Sequence, residues 1–194
     1  MESSPESHLS LTNTKTHTLP LRILPHSPNW DSLQVACLHN NLLAYCSNEQ
    51  IFLIEINQGI RVLPHILTLN KVKKTRCMAV CLVRNSYCVI ALKSHLIAIK
   101  KIQNEGDNEA QETLIQTSSL IIGLKWFDKK VIALGKNGDS FIYTLKEDSG
   151  KLNMQLDETL KVSGHFTITA FEIFSLTLII FGTDDGTIIL QRDG

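Results

Sequence analysis

Side chains able to do chemistry are scattered through this sequence rather than gathered. The seven histidines, His8, His17, His26, His39, His65, His95 and His165, never stand at the spacing of a metalloprotease helix or a zinc finger. They read as loop and surface imidazoles. Cys77 and Cys81 are four apart, so on a strand both point to one face. A metal there would need two further ligands, and the setting Cys77-Met-Ala-Val-Cys81 is that of apolar packing. With Cys37, Cys46 and Cys88 the cysteines number five, embedded in apolar runs, and no Asn-x-Ser/Thr sequon accompanies them. Reduced, buried thiols are expected. The sequence has neither a phosphate-binding glycine loop nor a Gly-x-Ser-x-Gly nucleophile turn, so a non-enzymatic chain without a cofactor is expected.

Two other features could bind rather than react. Lys71, Lys73, Lys74 and Arg76 put four cations into six residues. Such a local field suits phosphate contact, and an ordinary solvated loop carries the same residues. Trp30 ends the two-proline turn Leu24-Pro-His-Ser-Pro-Asn-Trp30, outside any apolar strand. An indole held on a loop suits base stacking, worth roughly 1–3 kcal/mol per base. The alternative is that Trp30 plugs the edge of the first structural unit. Trp126 and Phe127 run directly into an apolar strand, where core packing is expected.

The elements that must position these residues repeat along the chain. Leu42-Leu-Ala-Tyr-Cys46 and Ile51-Phe-Leu-Ile-Glu-Ile56 flank a polar turn. So do Val89-Ile-Ala-Leu-Lys93 and Leu96-Ile-Ala-Ile99, Val131-Ile-Ala-Leu-Gly135 and Ser140-Phe-Ile-Tyr143, and Leu178-Ile-Ile-Phe-Gly182 and Thr187-Ile-Ile-Leu190. Positions 44, 91, 133 and 180 are taken as equivalent, at spacings of 47, 42 and 47 residues. Each unit is a hairpin, because Asn-Gly, Asp-Gly and similar turns tolerate positive φ. A hairpin period of 40–47 residues is that of a propeller blade. Strands apolar on both faces agree, since a stacked sheet has a neighbour on either side. Outer strands are expected at Ile60–Leu69, Glu112–Thr117 and Thr159–Val162. No long amphipathic helix separates the units, which argues against a parallel α/β sheet.

The bulk composition fits one folded domain. In 194 residues, 43% are hydrophobic and 20% charged, which excludes a disordered chain. Nineteen basic against nineteen acidic residues give net zero, so a chain-wide electrostatic surface for nucleic acid or membrane is not expected. Apolar stretches such as Leu176–Phe181 fall far short of the roughly 18 residues a membrane helix needs. Residues 1–18 are polar and aperiodic, and are expected to form a flexible lead to a propeller domain over 19–194. The amino terminus lacks the pattern of a signal peptide, which predicts an intracellular chain.

In the last unit Gly164-His165 precedes the inner strands and Gly182-Thr-Asp-Asp-Gly-Thr-Ile-Ile-Leu190 closes it. This resembles the WD-repeat family, although the terminal Trp-Asp pair is missing from all four units. The expected fold is therefore all-β: an incomplete WD-repeat-like β-propeller of about four degenerate blades. Four blades leave an uncovered sheet face and edge, so a shortened copy or a half that closes against a partner is expected. The segment Leu24–Trp30, with Asn41-Leu-Leu-Ala-Tyr45 and Ile51–Ile56, resembles the start of the Gem-associated protein 5 family. That resemblance implies a cytoplasmic and nuclear protein that recognises small nuclear RNA or other RNA. It also implies action with survival-motor-neuron complex proteins in small nuclear ribonucleoprotein assembly. Trp30 takes the place of an RNA-contacting aromatic, and the next position, aromatic in that family, is Asp31. The other reading is a protein-interaction scaffold without nucleic-acid binding.

Overall fold

The computed structural model describes residues 32–57, 59–62, 66–72, 74–102, 112–127, 129–148, 151–162 and 164–192. The expected lead, Trp30, Asp31 and Lys73 lie outside the described residues. Within them the fold is all-β, and no helix is long and apolar enough to cross a membrane.

Four antiparallel sheets follow one another along the chain. The first holds β1 (Ala36–His39), β2 (Leu42–Ser47), β3 (Gln50–Asn57) and β4 (Gly59–Val62), with the short β5 (Leu67–Thr68) also paired to β3. The second holds β6 (Cys77–Val83), β7 (Tyr87–Leu92), β8 (Leu96–Lys101) and β9 (Glu112–Gln116). The third holds β10 (Ile121–Phe127), β11 (Lys130–Gly135), β12 (Ser140–Asp148) and β13 (Lys151–Leu160). The fourth holds β14 (Ile168–Ile173), β15 (Leu178–Thr183) and β16 (Ile188–Arg192). This is the architecture of an incomplete β-propeller.

The central hairpins form where turn chemistry permits positive φ. Asn48 and His95 supply it in the first two sheets, at φ 52° and 59°, and Gly138 and Gly186 in the last two, at 88° and 83°. Innermost strands β6, β10 and β14 each carry a register shift near their start, at Cys77/Ala79, Ile121/Gly123 and Ile168/Ala170. A bulge recurring at one place bends each strand alike, a structural repeat that residue identities conceal. The bonds Lys93 N–H to Arg76 carbonyl, Lys136 to Leu120 and Asp184 to Thr167 recur in the same way, at 2.8–2.9 Å.

Stacking explains the two-faced apolar strands. Ala44, Cys46, Ile51 and Leu53 of the first sheet meet Cys88, Ile90 and Leu92 of the second. Val89, Ala91, Ile97 and Ile99 point the other way, onto Val131, Ala133, Phe141 and Tyr143 of the third. Ile132 and Leu134 in turn meet Ile168, Ile179 and Phe181 of the fourth. Adjacent residues serve opposite seams, as strand pleating requires.

The packing corrects the repeat alignment by one residue. Ala44 and Ala91 face the following sheet, but Ala133 faces back to the second. Matching the turns, Gly138 to Gly186, pairs Ala133 with Phe181 rather than with Ile180. A one-residue slip exchanges the faces of a strand, so similarity of residue type alone misplaces it.

The outer strands also differ from expectation. Glu112–Gln116 pairs with β8 as foreseen, while Ile60–Leu69 is divided between β4 and β5. The third sheet's outer strand is the long β13 over Lys151–Leu160 rather than Thr159–Val162, paired along β12 from Asp148↔Lys151 to Ser140↔Leu160. Leu152 and Met154 on it are buried. Side-chain bonds link the last two sheets where no Trp-Asp pair exists. Buried Ser140 Oγ donates to Gln191 Oε1 at 2.5 Å, and Gln191 Nε2 donates to the Leu160 carbonyl at 2.9 Å.

Candidate interaction surfaces

Innermost strands β1, β6, β10 and β14 converge on a cavity of about 390 Å³. Its wall is mixed: Cys37 and His39 from β1, Cys81 from β6, Lys125 and Trp126 from β10, and Glu172 from β14. Lys125 pairs with Glu172 across the wall, and its Nζ lies 5.3 Å from the centroid of Phe127. The Arg84 guanidinium carbon is 6.0 Å from the ring centre of Trp126. Trp126 and Phe127 are half-buried and pack against the cores on the two faces of the third sheet, as expected, and Trp126 also lines the cavity. Such cation–π contacts hold an aromatic at a wet boundary.

Cys37 departs from the expectation of buried thiols, since it is half-buried and lines this cavity. A side-chain interaction with Cys81 holds its sulfur down, at a pKa of about 7, against the opposing effect of burial. The Leu82 backbone and the Lys125 charge add to the lowering. Cys81 is driven the opposite way, first by that interaction with Cys37 and then by burial. The remaining three cysteines are buried, as expected. Among the described residues no group of His, Cys, Asp and Glu could hold a metal ion.

The basic loop runs between β5 and β6. Lys71 and Lys74 are exposed and Arg76 is half-buried, while Lys73 and Trp30 lie outside the described residues. Glu112 organises the start of this loop. Its carboxylate accepts the backbone N–H groups of Asn70 and Lys71 at 2.8 and 3.2 Å, and its carbonyl accepts Lys71 Nζ at 2.6 Å. Lys100, opposite Glu112 in the ladder, is buried and donates to the Thr68 carbonyl. Desolvation lowers its pKa, and the Glu112 charge opposes that. Part of the positive field is thus already engaged by the protein itself. Glu112 and Lys100 had one sequence signal, a charge placed on each of two apolar strands.

The fourth sheet has a back and a front. Ile179 and Phe181 are buried against the third sheet, whereas the partners across β15 and β16, Ile180–Leu190 and Gly182–Ile188, turn away from it. Ile188 and Leu190 are 69% and 63% exposed, and Phe174 at the neighbouring corner is 55% exposed. The opposite end of the stack is different. Tyr45, Phe52 and Ile54 on the outer face of the first sheet are buried, with the two rings stacked at 5.1 Å. On the first sheet the exposed apolar side chains are instead Leu38 of β1 and Ile56 of β3.

No family model and no curated protein matches the sequence. Solved structures do match the fold. The chain is similar to the WD40 beta propeller domain of Doa1, with 13% identity and a TM-score of 0.57, over 86% of this chain and 52% of that one. It is similar to a chain of the mitotic checkpoint complex, with 13% identity and a TM-score of 0.64, over 98% and 57%. The fold is a WD40-type β-propeller. The computationally designed Ika4 protein shares it, with 17% identity and a TM-score of 0.53, over 90% of this chain and 100% of that one. The chain spans about half the length of the first two propellers.

Proposed function

We propose that this chain is a non-enzymatic propeller scaffold whose fourth sheet receives an apolar β-sheet from a partner protein. The observation that carries this reading is the outward face bearing Ile180, Ile188 and Leu190. Three seams within the chain are already sheet on sheet, so a fourth of the same kind continues the stack. Exposed apolar patches of this sort mark association surfaces. In affinity capture after nuclease treatment, the wild type retains its partner and Ile188→Asp/Leu190→Asp, checked for an unchanged melting transition, loses it. Equal capture by both proteins contradicts the reading.

A second reading keeps RNA, and rests on the Leu24–Trp30 resemblance together with the exposed Lys71 and Lys74. On it Trp30 stacks on a base, Lys71, Lys73, Lys74 and Arg76 meet phosphates, and the protein serves small nuclear ribonucleoprotein assembly in cytoplasm and nucleus. Capped small nuclear RNA then binds the wild type and loses affinity on Trp30→Ala by about 1–3 kcal/mol. Equally poor binding of capped and uncapped RNA by both proteins removes this reading.

A further inference from the structure

One rim of the propeller carries the β2–β3, β7–β8, β11–β12 and β15–β16 turns, together with the loops that enter β6, β10 and β14. Backbone bonds tie each loop to a turn: the Asn48 carbonyl accepts the Cys77 N–H, the Arg76 carbonyl that of Lys93, and the Leu120 carbonyl that of Lys136. Lys93 and Lys136 therefore hold the same place in consecutive sheets, directly after β7 and β11. Both are exposed, as are Lys74, two residues before Arg76, and Lys161, after β13. None of the four has a carboxylate partner among the described residues. The acidic groups on this rim are Glu49, Asp139, Asp184 and Asp185. The last three serve the turns: Asp139 accepts the Val162 N–H at 3.2 Å, Asp184 that of Thr167 at 3.1 Å and Asp185 that of Thr187 at 3.0 Å. On the opposite rim the lysines are paired, Lys125 with Glu172 and Lys130 with Asp157.

Stacked sheets lie about 10 Å apart, so cations at equivalent positions recur at about that interval. A polyproline II segment turns once in three residues and rises about 9 Å in doing so, which brings every third side chain to one side at nearly the same interval. We propose that the rim bearing Lys74, Lys93 and Lys136 binds an acidic peptide segment of a partner protein, held in the polyproline II form with a carboxylate at every third residue. Each lysine meets one carboxylate. The track ends at the fourth sheet, where Asp184 takes the place of Lys93 and Lys136, its N–H bonded to the Thr167 carbonyl. A nucleic-acid strand fits less well, since bases need ring faces to stack on. The one aromatic exposed among the described residues, Phe174, follows β14 on the opposite rim. This surface is separate from the outward face of the fourth sheet and does not rest on that reading.

A fluorescent peptide of repeated Glu-Pro-Pro is titrated with the full chain by anisotropy at low ionic strength, beside a peptide of the same composition whose glutamates are contiguous. The spaced peptide is expected to bind at least about threefold more tightly, and to lose affinity as salt rises through about 0.15 M. Lys93→Gln/Lys136→Gln removes two exposed charge pairs and is expected to weaken binding by about 2- to 30-fold. Lys129→Gln, at an exposed lysine of the opposite rim, is expected to leave it unchanged. So is Ile188→Asp/Leu190→Asp, which keeps a failure here distinct from a failure of the fourth-sheet surface. Equal binding of the two peptides, equal binding by the wild type and Lys93→Gln/Lys136→Gln, or tighter binding of a uridine oligonucleotide through the same two lysines would each overturn the proposal.

Discussion

Gln34 holds the backbone of Leu124 with both ends of its amide, accepting from the Leu124 N–H at 2.5 Å and donating to the Leu124 carbonyl at 2.7 Å. The two residues are 90 positions apart. This one side chain therefore does for β10 what a neighbouring strand would do, and ties the entry of the first sheet to the third. Removing it leaves a donor and an acceptor without their partner in a half-buried place. Gln34→Ala is expected to cost about 1–3 kcal/mol in urea unfolding. A change below about 0.3 kcal/mol shows that water replaces both bonds.

Gly123 gives room to Phe171. A Cβ at position 123 would stand 2.3 Å from Phe171 Cζ and 2.5 Å from Cε2, so the ring could not stay where it packs. Gly123→Ala is expected to destabilise by about 1–3 kcal/mol through overpacking. The same change made in a Phe171→Leu background should cost much less, a coupling that a double-mutant cycle reads directly. Additive costs would place the strain elsewhere.

Cys37 should alkylate with a midpoint near pH 7, because its thiol is lowered from 9.0 to about 7. The sign follows from the thiolate being the reactive form: the rate rises as pH climbs through that value and levels off above it. The groups facing Cys37 are Cys81 from β6, Lys125 from β10 with its partner Glu172 from β14, and His39 on its own strand. Lys125→Met removes the favourable charge, and the midpoint should move upward. A midpoint that stays near 9 in the wild type contradicts the described interaction with Cys81.

Much of the fold was legible because hairpins declare themselves locally. Leu178–Gly182, the Asp-Asp-Gly turn and the apolar strand after it gave the last hairpin, and three similar segments gave the rest. What escaped was information held between sheets. Nothing near Ala133 tells which seam it serves, since the slip is set by turn length and by the bulges of β6, β10 and β14. Nor does Cys37 in the run Val-Ala-Cys-Leu differ from a core thiol until β6 and β10 bring Cys81 and Lys125 beside it. Gln34 was equally silent, as its partner is fixed by stacking alone. The basic loop was visible as a run of charge, but Glu112, which binds its first residues, lies forty-one positions further on from Lys71.

The scaffold reading is tested most directly by a photo-reactive side chain placed at position 190, with a control at Asn153, an exposed residue on β13. In cell extract treated with nuclease, position 190 is expected to yield a discrete protein adduct whose cross-linked peptide comes from a β-strand, and position 153 none. Adducts to RNA in untreated extract, equal adducts at both positions, or none at 190 would contradict the account.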